Sequence, residues 1–293
     1  MPSRDLLSRI ENGMPTFSKS QKKIGIYISE HYDKAAFMTA SRLGEEVGVS
    51  ESTVVRFAAE IGFDGYPELQ KNLREMIRSR LTTVQRIGII DDRIGTTEIL
   101  TKVMTLDSDR IRRTCEEISP TEFCDAVESI IAARRIYVLG VRSSSMISNF
   151  LVFYFNHIFD NVVSVNSNTV SEVFEQMLRI GGEDVFIALS FPRYSQRTVK
   201  AARFAKDRGA KVIAITDSNS SPIAQFADVL LLVRSEMASF VDSLVAPLSL
   251  INALIVAIGM CKKAEVKDTY ATLERIWEEY DVYEKPQRDK DEN

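Results

Sequence analysis

The chain has 293 residues, enough for about two domains, and its 45% hydrophobic and 27% charged residues are typical of a globular protein. A formal net charge of −4 excludes a strongly basic surface that would coat nucleic acid without sequence preference. Cys115, Cys124 and Cys261 show no CxxC spacing, and the sequence holds only two histidines. We therefore predict reduced thiols, a cytoplasmic location, no metal site and no cofactor.

The sequence contains no segment that we predict to cross a membrane. The N-terminal residues include several charges and lack the long apolar run of a signal peptide. The most apolar stretch, Leu244–Cys261, contains Pro247 and Asn252 and is shorter than the roughly 20 apolar residues that a spanning helix needs. We predict a helix of the core or of an interface over this stretch.

Residues 1–80 have the pattern of an all-α domain. Apolar residues recur at intervals of three and four, as in Ile24, Tyr27 and Ile28, and no alternating pattern interrupts them. These residues carry 12 basic and 11 acidic side chains, so charge alone does not indicate a nucleic-acid partner. The glycine-containing residues 81–105 are predicted to be a linker, in which helical periodicity returns from Glu98.

The segment Thr39–Ile61 has the spacing of a helix-turn-helix. A first helix is predicted to end at Gly48, because glycine accepts the left-handed conformation of a helix end. Val49 would fill the angle between the helices, and Gly44 is small where the second helix passes close. Ser50 is predicted to be the N-cap residue of the second helix.

The second helix of this motif presents polar residues outward, and its N-terminal half is the part that enters the major groove of DNA. Serine, threonine and arginine can contact bases or phosphates, while lysines can hold the backbone. The alternative is a helical hairpin that only mediates protein contacts. The predicted DNA-binding residues are Lys19, Lys22, Lys23, Arg42, Ser50, Ser52, Thr53 and Arg56.

From residue 130 the pattern becomes α/β. Short apolar runs rich in β-branched residues alternate with helical patterns, which predicts a parallel sheet flanked by helices on both faces. We place this domain at 106–283, followed by a polar tail at 284–293. The predicted strands are 135–139, 161–165, 184–190, 211–216 and 229–233. The predicted helices include 146–159, 171–180, 196–208 and 242–262.

Two serine-containing loops follow predicted strands, at Leu139–Ser145 and Leu189–Thr198. Ligands of open α/β sheets bind beyond the carboxyl ends of strands, where hydroxyls and helix N-termini suit a phosphate. For each loop alone, helix capping by serine is an equally good explanation. The predicted ligand-binding residues are Gly140, Arg142, Ser143, Ser144, Ser145, Ser190, Arg193, Tyr194, Ser195 and Glu236.

Taken together, these motifs resemble the RpiR family of bacterial regulators, in which a helix-turn-helix precedes a sugar isomerase (SIS) domain. The resemblance spans nearly the whole chain and is most specific at Val49–Leu73, at the SFPRYS run Ser190–Ser195 and at Asp242–Leu248. It implies a phosphosugar effector, operator DNA as partner, and a homodimer that could assemble into a tetramer. It also implies a regulator of carbohydrate genes, which we expect to be a repressor.

The two serine loops match the SIS patterns only in part. In the G-x-G-x-S pattern, Gly140 and Ser144 match, and Arg142 stands where the second glycine would be. In the S-x-S-G-x-T pattern, Ser190 matches the first serine and Ser195 the terminal hydroxyl, while Pro192 and Arg193 replace the central Ser-Gly.

The rival interpretation is a phosphosugar isomerase, which needs a general base to move a proton between adjacent carbons. The candidates are Glu172, Glu236 and His157, but no acid and base are paired at a clear spacing, and kinship of fold does not imply shared function. A third alternative is a dimerisation or architectural protein without a ligand.

Overall fold

The computed structural model describes residues 3–80, 98–166, 169–236 and 241–283. The first of these ranges folds as helices, as predicted. They are α1 (Ser3–Gly13), α2 (Lys19–Glu30), α3 (Tyr32–Ala35), α4 (Ala40–Val47), α5 (Glu51–Glu60) and α6 (Tyr66–Arg80).

A single apolar core holds these helices together. Leu43, Val54 and Phe57 are fully buried, and the ring of Phe17 meets that of Phe57 edge-on at 5.3 Å between centroids. The hydroxyl of Tyr66 donates to the Met38 carbonyl at 2.8 Å. Burial raises the pKa of Tyr66 to about 12, so the phenol stays protonated and keeps this bond at physiological pH.

The second part of the chain is an α/β unit with a five-stranded sheet. All its strands are parallel and lie in the order β2-β1-β3-β4-β5, so the predicted parallel sheet is confirmed. The strands are β1 (Ile136–Gly140), β2 (Val162–Ser164), β3 (Val185–Leu189), β4 (Lys211–Thr216) and β5 (Val229–Leu232).

Helices cover both faces of this sheet. They are α7 (Ile99–Glu117), α8 (Pro120–Ala132), α9 (Ser143–Phe155), α10 (Val170–Gln176), α11 (Gln196–Asp207), α12 (Val245–Cys261) and α13 (Lys263–Glu279). Apolar side chains of α8, α9 and α12 pack on one face, against residues such as Val138 and Ile187. Those of α10 and α11 pack on the other, against Leu139 and Phe186. This alternation explains why the strands are apolar along their whole length.

Several boundaries differ from the expected ones. Helix α9 begins at Ser143 rather than at 146, so the first serine loop is the first turn of a helix. Helix α7 begins inside the predicted linker 81–105, while 81–97 and the tail 284–293 lie outside the described residues. Helix α13, which the pattern analysis did not separate, follows α12 after a bend of 99°.

Over the described ranges, no single helix is long and apolar enough to cross a membrane. Helices α12 and α13 meet the length and composition only as a pair that is sharply bent at its junction. In α12, six residues including Leu250, Leu254 and Ile258 are buried in the core of the α/β unit, as predicted for the stretch 244–261.

Candidate functional site

The helix-turn-helix geometry matches the prediction made for 39–61. Helix α4 ends at Gly48, which adopts the left-handed conformation with φ 69°. A side chain on Gly44 would place its Cβ 2.7 Å from the Val49 carbonyl oxygen, so only glycine lets α5 pass this close. Val49 packs against the helical core, and α5 follows from Glu51.

The exposed face of α5 carries Ser52, Arg56 and, half-buried, Thr53. Ser50 occupies the N-cap position in an extended conformation, as predicted, although its side chain makes no capping bond. Its hydroxyl instead lies 3.0 Å from the Ser52 hydroxyl and 2.8 Å from that of Thr53. These paired hydroxyls compete with the capping geometry and form one polar cluster at the tip of the reading helix.

The predicted basic DNA-binding residues lie on α2, α4 and α5. Arg56 folds back so that its Nε donates to the Ser52 carbonyl at 3.3 Å. Lys19, Lys22 and Lys23 lie on α2, whose N-terminal end shares a groove with α5 that Ser18, Gln21, Thr53 and Arg56 help to line. Arg42 pairs with Glu45 at 3.3 Å, and both are well exposed, so the pair is weak and can open.

A cavity of about 290 Å³ lies at the carboxyl ends of β1 and β3. Strand β1 lies between β2 and β3, so the chain goes from β1 to a strand on one side of it and then crosses to a strand on its other side. The cavity therefore sits at the topological switch point, where open α/β sheets bind ligands. Its described lining residues are Val141, Arg142, Ser143, Ser144, Leu189, Ser190, Phe191, Pro192, Arg193, Ser195, Thr198, Val241, Asp242 and Leu244.

The first wall is built by the tight turn from β1 into α9. At Gly140 a Cβ would lie 2.4 Å from the Ser144 carbonyl oxygen, so the helix backbone can approach the strand only over glycine. Arg142, at the N-cap of α9, has φ 60°, a conformation that favours glycine. The arginine therefore occupies a glycine-type backbone position at the rim of the cavity.

The second wall is built by the segment between β3 and α11. The Ser190 amide donates to the Ile215 carbonyl at 3.1 Å, and the Ser190 carbonyl accepts from the Thr216 hydroxyl at 2.6 Å. Ser195 caps α11, because its Oγ accepts from the Arg197 amide at 3.2 Å. Capping and cavity lining thus coincide in Ser195, so the two interpretations of this serine are compatible.

Two hydroxyls in the cavity wall are buried without a hydrogen-bond partner among the described residues. They belong to Ser190, which is 3% exposed, and to Thr198, which is fully buried. An unsatisfied buried hydroxyl costs about 1–3 kcal/mol. The N-terminal ends of α9, α11 and α12 also converge here, through Arg142, Ser195 and Leu244. Their amides and dipoles favour an anion.

Six predicted ligand residues therefore line one cavity, and four do not. Gly140 shapes the turn, and Ser145 donates to the Arg142 carbonyl at 2.6 Å. Tyr194 donates from its hydroxyl to Asp217 at 3.0 Å. Glu236 pairs with Arg234 and Arg110 outside the described lining.

Pattern analysis missed two polar lining residues, Thr198 and Asp242. Thr198 lies one helical turn after Ser195, and that spacing alone could have placed both on the side of α11 that faces the cavity. Asp242 reaches the cavity from the segment before α12, far away in sequence. No local pattern indicates it.

Comparison with known proteins identifies both halves of the chain. The rpiR-family helix-turn-helix domain matches residues 4–80, and the SIS domain matches residues 129–257. An HTH-type transcriptional regulator from Haemophilus influenzae is 27% identical over 78% of this chain and 80% of its own length. One from Clostridium perfringens is 24% identical over 76% and 79%, respectively.

Solved structures show the same fold. The sugar isomerase domain of an RpiR transcription factor from Sphaerobacter thermophilus aligns with a TM-score of 0.58 at 24% identity, over 61% of this chain and 99% of that one. The Vibrio vulnificus NanR protein, complexed with ManNAc-6P, aligns with a TM-score of 0.58 at 22% identity, over 93% and 97%. With both family domains present in this order, the chain belongs to the RpiR family of transcriptional regulators.

Proposed function

We propose that this regulator binds a phosphorylated sugar in the cavity between β1 and β3 and changes its affinity for operator DNA in response. The observation that carries the proposal is a pair of hydroxyls, Ser190 and Thr198, that have no partner among the described residues and lie in a cavity where three helix N-termini meet. A phosphate oxygen would accept from both hydroxyls and from helix amides. The structural neighbour NanR is complexed with a phosphosugar, which agrees with this chemistry.

The remaining lining residues suit the rest of such a ligand. Arg142 and Arg193 are exposed at the rim, where a guanidinium can fork onto phosphate oxygens. Asp242 supplies a carboxylate that can accept hydrogen bonds from sugar hydroxyls. Phe191 and Pro192 contribute an apolar surface on which the carbons of a sugar ring can lie.

A panel of sugar phosphates tests this proposal. We expect glucose 6-phosphate, fructose 6-phosphate or N-acetylmannosamine 6-phosphate to raise the melting temperature of the full chain, because a ligand at 100 times its Kd stabilises the folded state by about 2.7 kcal/mol. The unphosphorylated sugars are the control and should give no shift. Equal shifts with and without the phosphate would contradict a phosphate site here.

We propose that the protein regulates without catalysis. The three candidate bases lie away from the described lining of the cavity. His157 packs among aromatic rings and lies 3.2 Å from the Tyr270 hydroxyl, Glu236 is held in ion pairs, and Glu172 lies in the first turn of α10. Chromatographic detection of an isomerised sugar phosphate after incubation with the purified protein would contradict this.

We propose a homodimer that acts as a repressor in the cytoplasm, and that could pair further into a tetramer. Large apolar side chains of α9 and α12 point into solvent in the single chain, namely Met146, Phe153, Val256 and Met260. A face of this kind is typical of a subunit interface. The two α5 helices of the dimer would then bind two half-sites of the operator that lie about one DNA turn apart.

Replacing Arg56 with alanine is expected to weaken binding to DNA. Arg56 is exposed on α5 beside Ser52 and Thr53, and the loss of an arginine that contacts a base costs about 1–3 kcal/mol, or roughly 5- to 150-fold in affinity. The measurement is a fluorescence titration of the full chain with a sequence selected from a random DNA pool.

The matched control is Lys71→Ala, which removes one exposed positive charge from α6. It should change affinity much less than Arg56→Ala. If the two variants bind equally well, Arg56 acts only through its charge and does not read the operator.

A further inference from the structure

Helix α7 packs against the α/β unit through a polar face rather than an apolar one. Its buried residues are Arg110 and Thr114, which are 5% and 7% exposed, whereas Leu100 and Met104 are 73% and 64% exposed. An amphipathic helix on a globular domain ordinarily buries its apolar stripe. Here the polar side is buried, so hydrogen bonds and ion pairs hold the helix in place.

The side chains that make these bonds recur along one face of α7. We call this face, formed by Asp107, Arg110, Thr114 and Glu117, the polar seam. Its members are spaced by three, four and three residues, which puts them on one side of the helix. All four bind residues that follow β5, so the seam joins α7 to a single short region of the fold.

At the C-terminal end of α7, the polar seam binds the residues that directly follow β5. The Arg234 amide donates to the Thr114 hydroxyl at 3.0 Å, and Arg234 Nε donates to the Glu117 carboxylate at 2.7 Å. Arg110 Nε lies 3.8 Å from Glu236. These bonds anchor α7 to residues 234–236.

At the other end, the seam reaches the cavity. The Ser243 hydroxyl donates to Asp107 Oδ1 at 2.7 Å, and the same oxygen accepts from Arg110 Nη1 at 2.6 Å. Ser243 is itself buried, and its neighbours Asp242 and Leu244 both line the cavity. One three-residue segment therefore lines the cavity on both sides of a serine that binds α7.

We propose that Ser243 couples occupancy of the cavity to the position of α7, through Asp107 and Arg110. This inference rests on the proposed function, since it assigns a route of regulation to the same site. A sugar phosphate that contacts Asp242 and Leu244 fixes the segment 241–244. The Ser243–Asp107 bond is directional and largely shielded from water, so α7 follows the segment rather than sliding past it. Helix α7 begins at Ile99, and residues 81–97, which lie outside the described residues, separate it in the sequence from the DNA-binding domain.

The coupling requires that the ligand bind one of two states of the protein more tightly than the other. A ligand shifts an equilibrium only as far as its affinities for the two states differ. Ser243 need not contact the ligand, and we class it as a positioning residue. Its removal should leave ligand binding and DNA binding intact and break the communication between them.

Hydrogen–deuterium exchange of the full chain tests the proposal. The probes are glucose 6-phosphate, fructose 6-phosphate, N-acetylmannosamine 6-phosphate and inorganic phosphate, each added separately. In the wild type we expect a bound probe to slow exchange in the cavity segments 140–145 and 190–198 and also in α7. In Ser243→Ala we expect the cavity segments to be slowed as before and the slowing in α7 to be lost.

Two further variants separate coupling from general damage. Ser243→Thr keeps the hydroxyl and should restore the slowing in α7. Ser249→Ala removes a hydroxyl that bonds only within α12, to the Val245 carbonyl at 3.0 Å, and should behave as the wild type.

The outcomes distinguish this inference from the proposed function. Slowing in α7 that persists in Ser243→Ala, or wild-type protein in which the cavity is slowed and α7 is not, would overturn the coupling and leave the ligand site standing. If no probe slows the cavity segments of the wild type, the proposed function fails and the coupling fails with it.

Discussion

Replacing Gly140 with alanine is expected to destabilise the α/β unit and to abolish binding of sugar phosphates. The new Cβ would lie 2.4 Å from the Ser144 carbonyl oxygen and 2.8 Å from both the Ser144 carbonyl carbon and the Ser148 hydroxyl. Two of these three atoms are backbone and cannot rotate away, so α9 must move off β1. Overpacking of this kind costs about 1–3 kcal/mol, or more where the backbone has to shift.

The loss of binding follows from the same displacement. The first turn of α9 carries Ser143 and Ser144 at the cavity wall, and the helix amides beside them are the predicted phosphate donors. Thermal unfolding would report the first effect as a decrease of about 2–4 °C for each kcal/mol. The same scans with fructose 6-phosphate and N-acetylmannosamine 6-phosphate report the second.

The matched control for this substitution is Gly181→Ala. A Cβ on Gly181 would meet no heavy atom within 4 Å, so this variant should melt close to the wild type and keep its response to ligand. If Gly140→Ala were as stable as Gly181→Ala and still bound the sugar phosphates, the close approach of α9 to β1 would have no functional importance.

The strands and the reading motif were predictable because their causes are local. Runs such as Val185–Leu189 are apolar throughout because both faces of a parallel strand are covered, and that pattern is visible in the sequence. The turn after α4 depends on Gly44 and Gly48, two residues of one short segment. Local chemistry of this kind constrains the fold before any long-range contact forms.

The parts that sequence analysis missed depend on distant contacts. Asp242 reaches the cavity because the segment before α12 crosses the ends of β1 and β3. The periodicity Ile99, Val103, Leu106 and Ile111 predicts a helix correctly but suggests the wrong buried face, since Val103 is only half-buried and the other three are exposed. The polar partners that reverse the face lie more than 100 residues away, at Arg234 and Ser243.

The near-neutral charge of the N-terminal domain affects how strongly a ligand could change the binding of this regulator to DNA. With a net charge of +1 over residues 1–80, nonspecific attraction to DNA is weak, and affinity depends on specific contacts by a few side chains. An allosteric coupling of about 1–3 kcal/mol is then enough to change the affinity for an operator by roughly 5- to 150-fold. A strongly basic domain would keep binding DNA through such a change.

The double variant Ser190→Ala/Thr198→Val is expected to be more stable than the wild type and to lose its response to sugar phosphates. Both hydroxyls are buried without a partner among the described residues. Valine has nearly the shape of threonine, and alanine leaves only a small space. Removing the two orphaned groups should therefore raise the stability of the ligand-free chain, by up to about 1–3 kcal/mol for each.

A gain in stability together with a lost ligand response would identify these hydroxyls as ligand-binding groups. Removing a hydroxyl that is hydrogen-bonded within the fold would instead lower stability. If Ser190 and Thr198 instead donate to a phosphate, the wild type gains stability when the sugar phosphate binds and the double variant does not. The two proteins are compared by thermal unfolding with and without N-acetylmannosamine 6-phosphate and fructose 6-phosphate.

The chain offers a control in Ser221, whose hydroxyl is also buried without a partner among the described residues but is not part of the described cavity lining. Ser221→Ala should raise the melting temperature in the same way and keep the full ligand response. A double variant that melts below the wild type, or that is still stabilised by a sugar phosphate to the same extent, would show that the ligand is held by other groups. In that case, the cost of burying the Ser190 and Thr198 hydroxyls without partners would be unrelated to the stabilisation that the sugar phosphate provides.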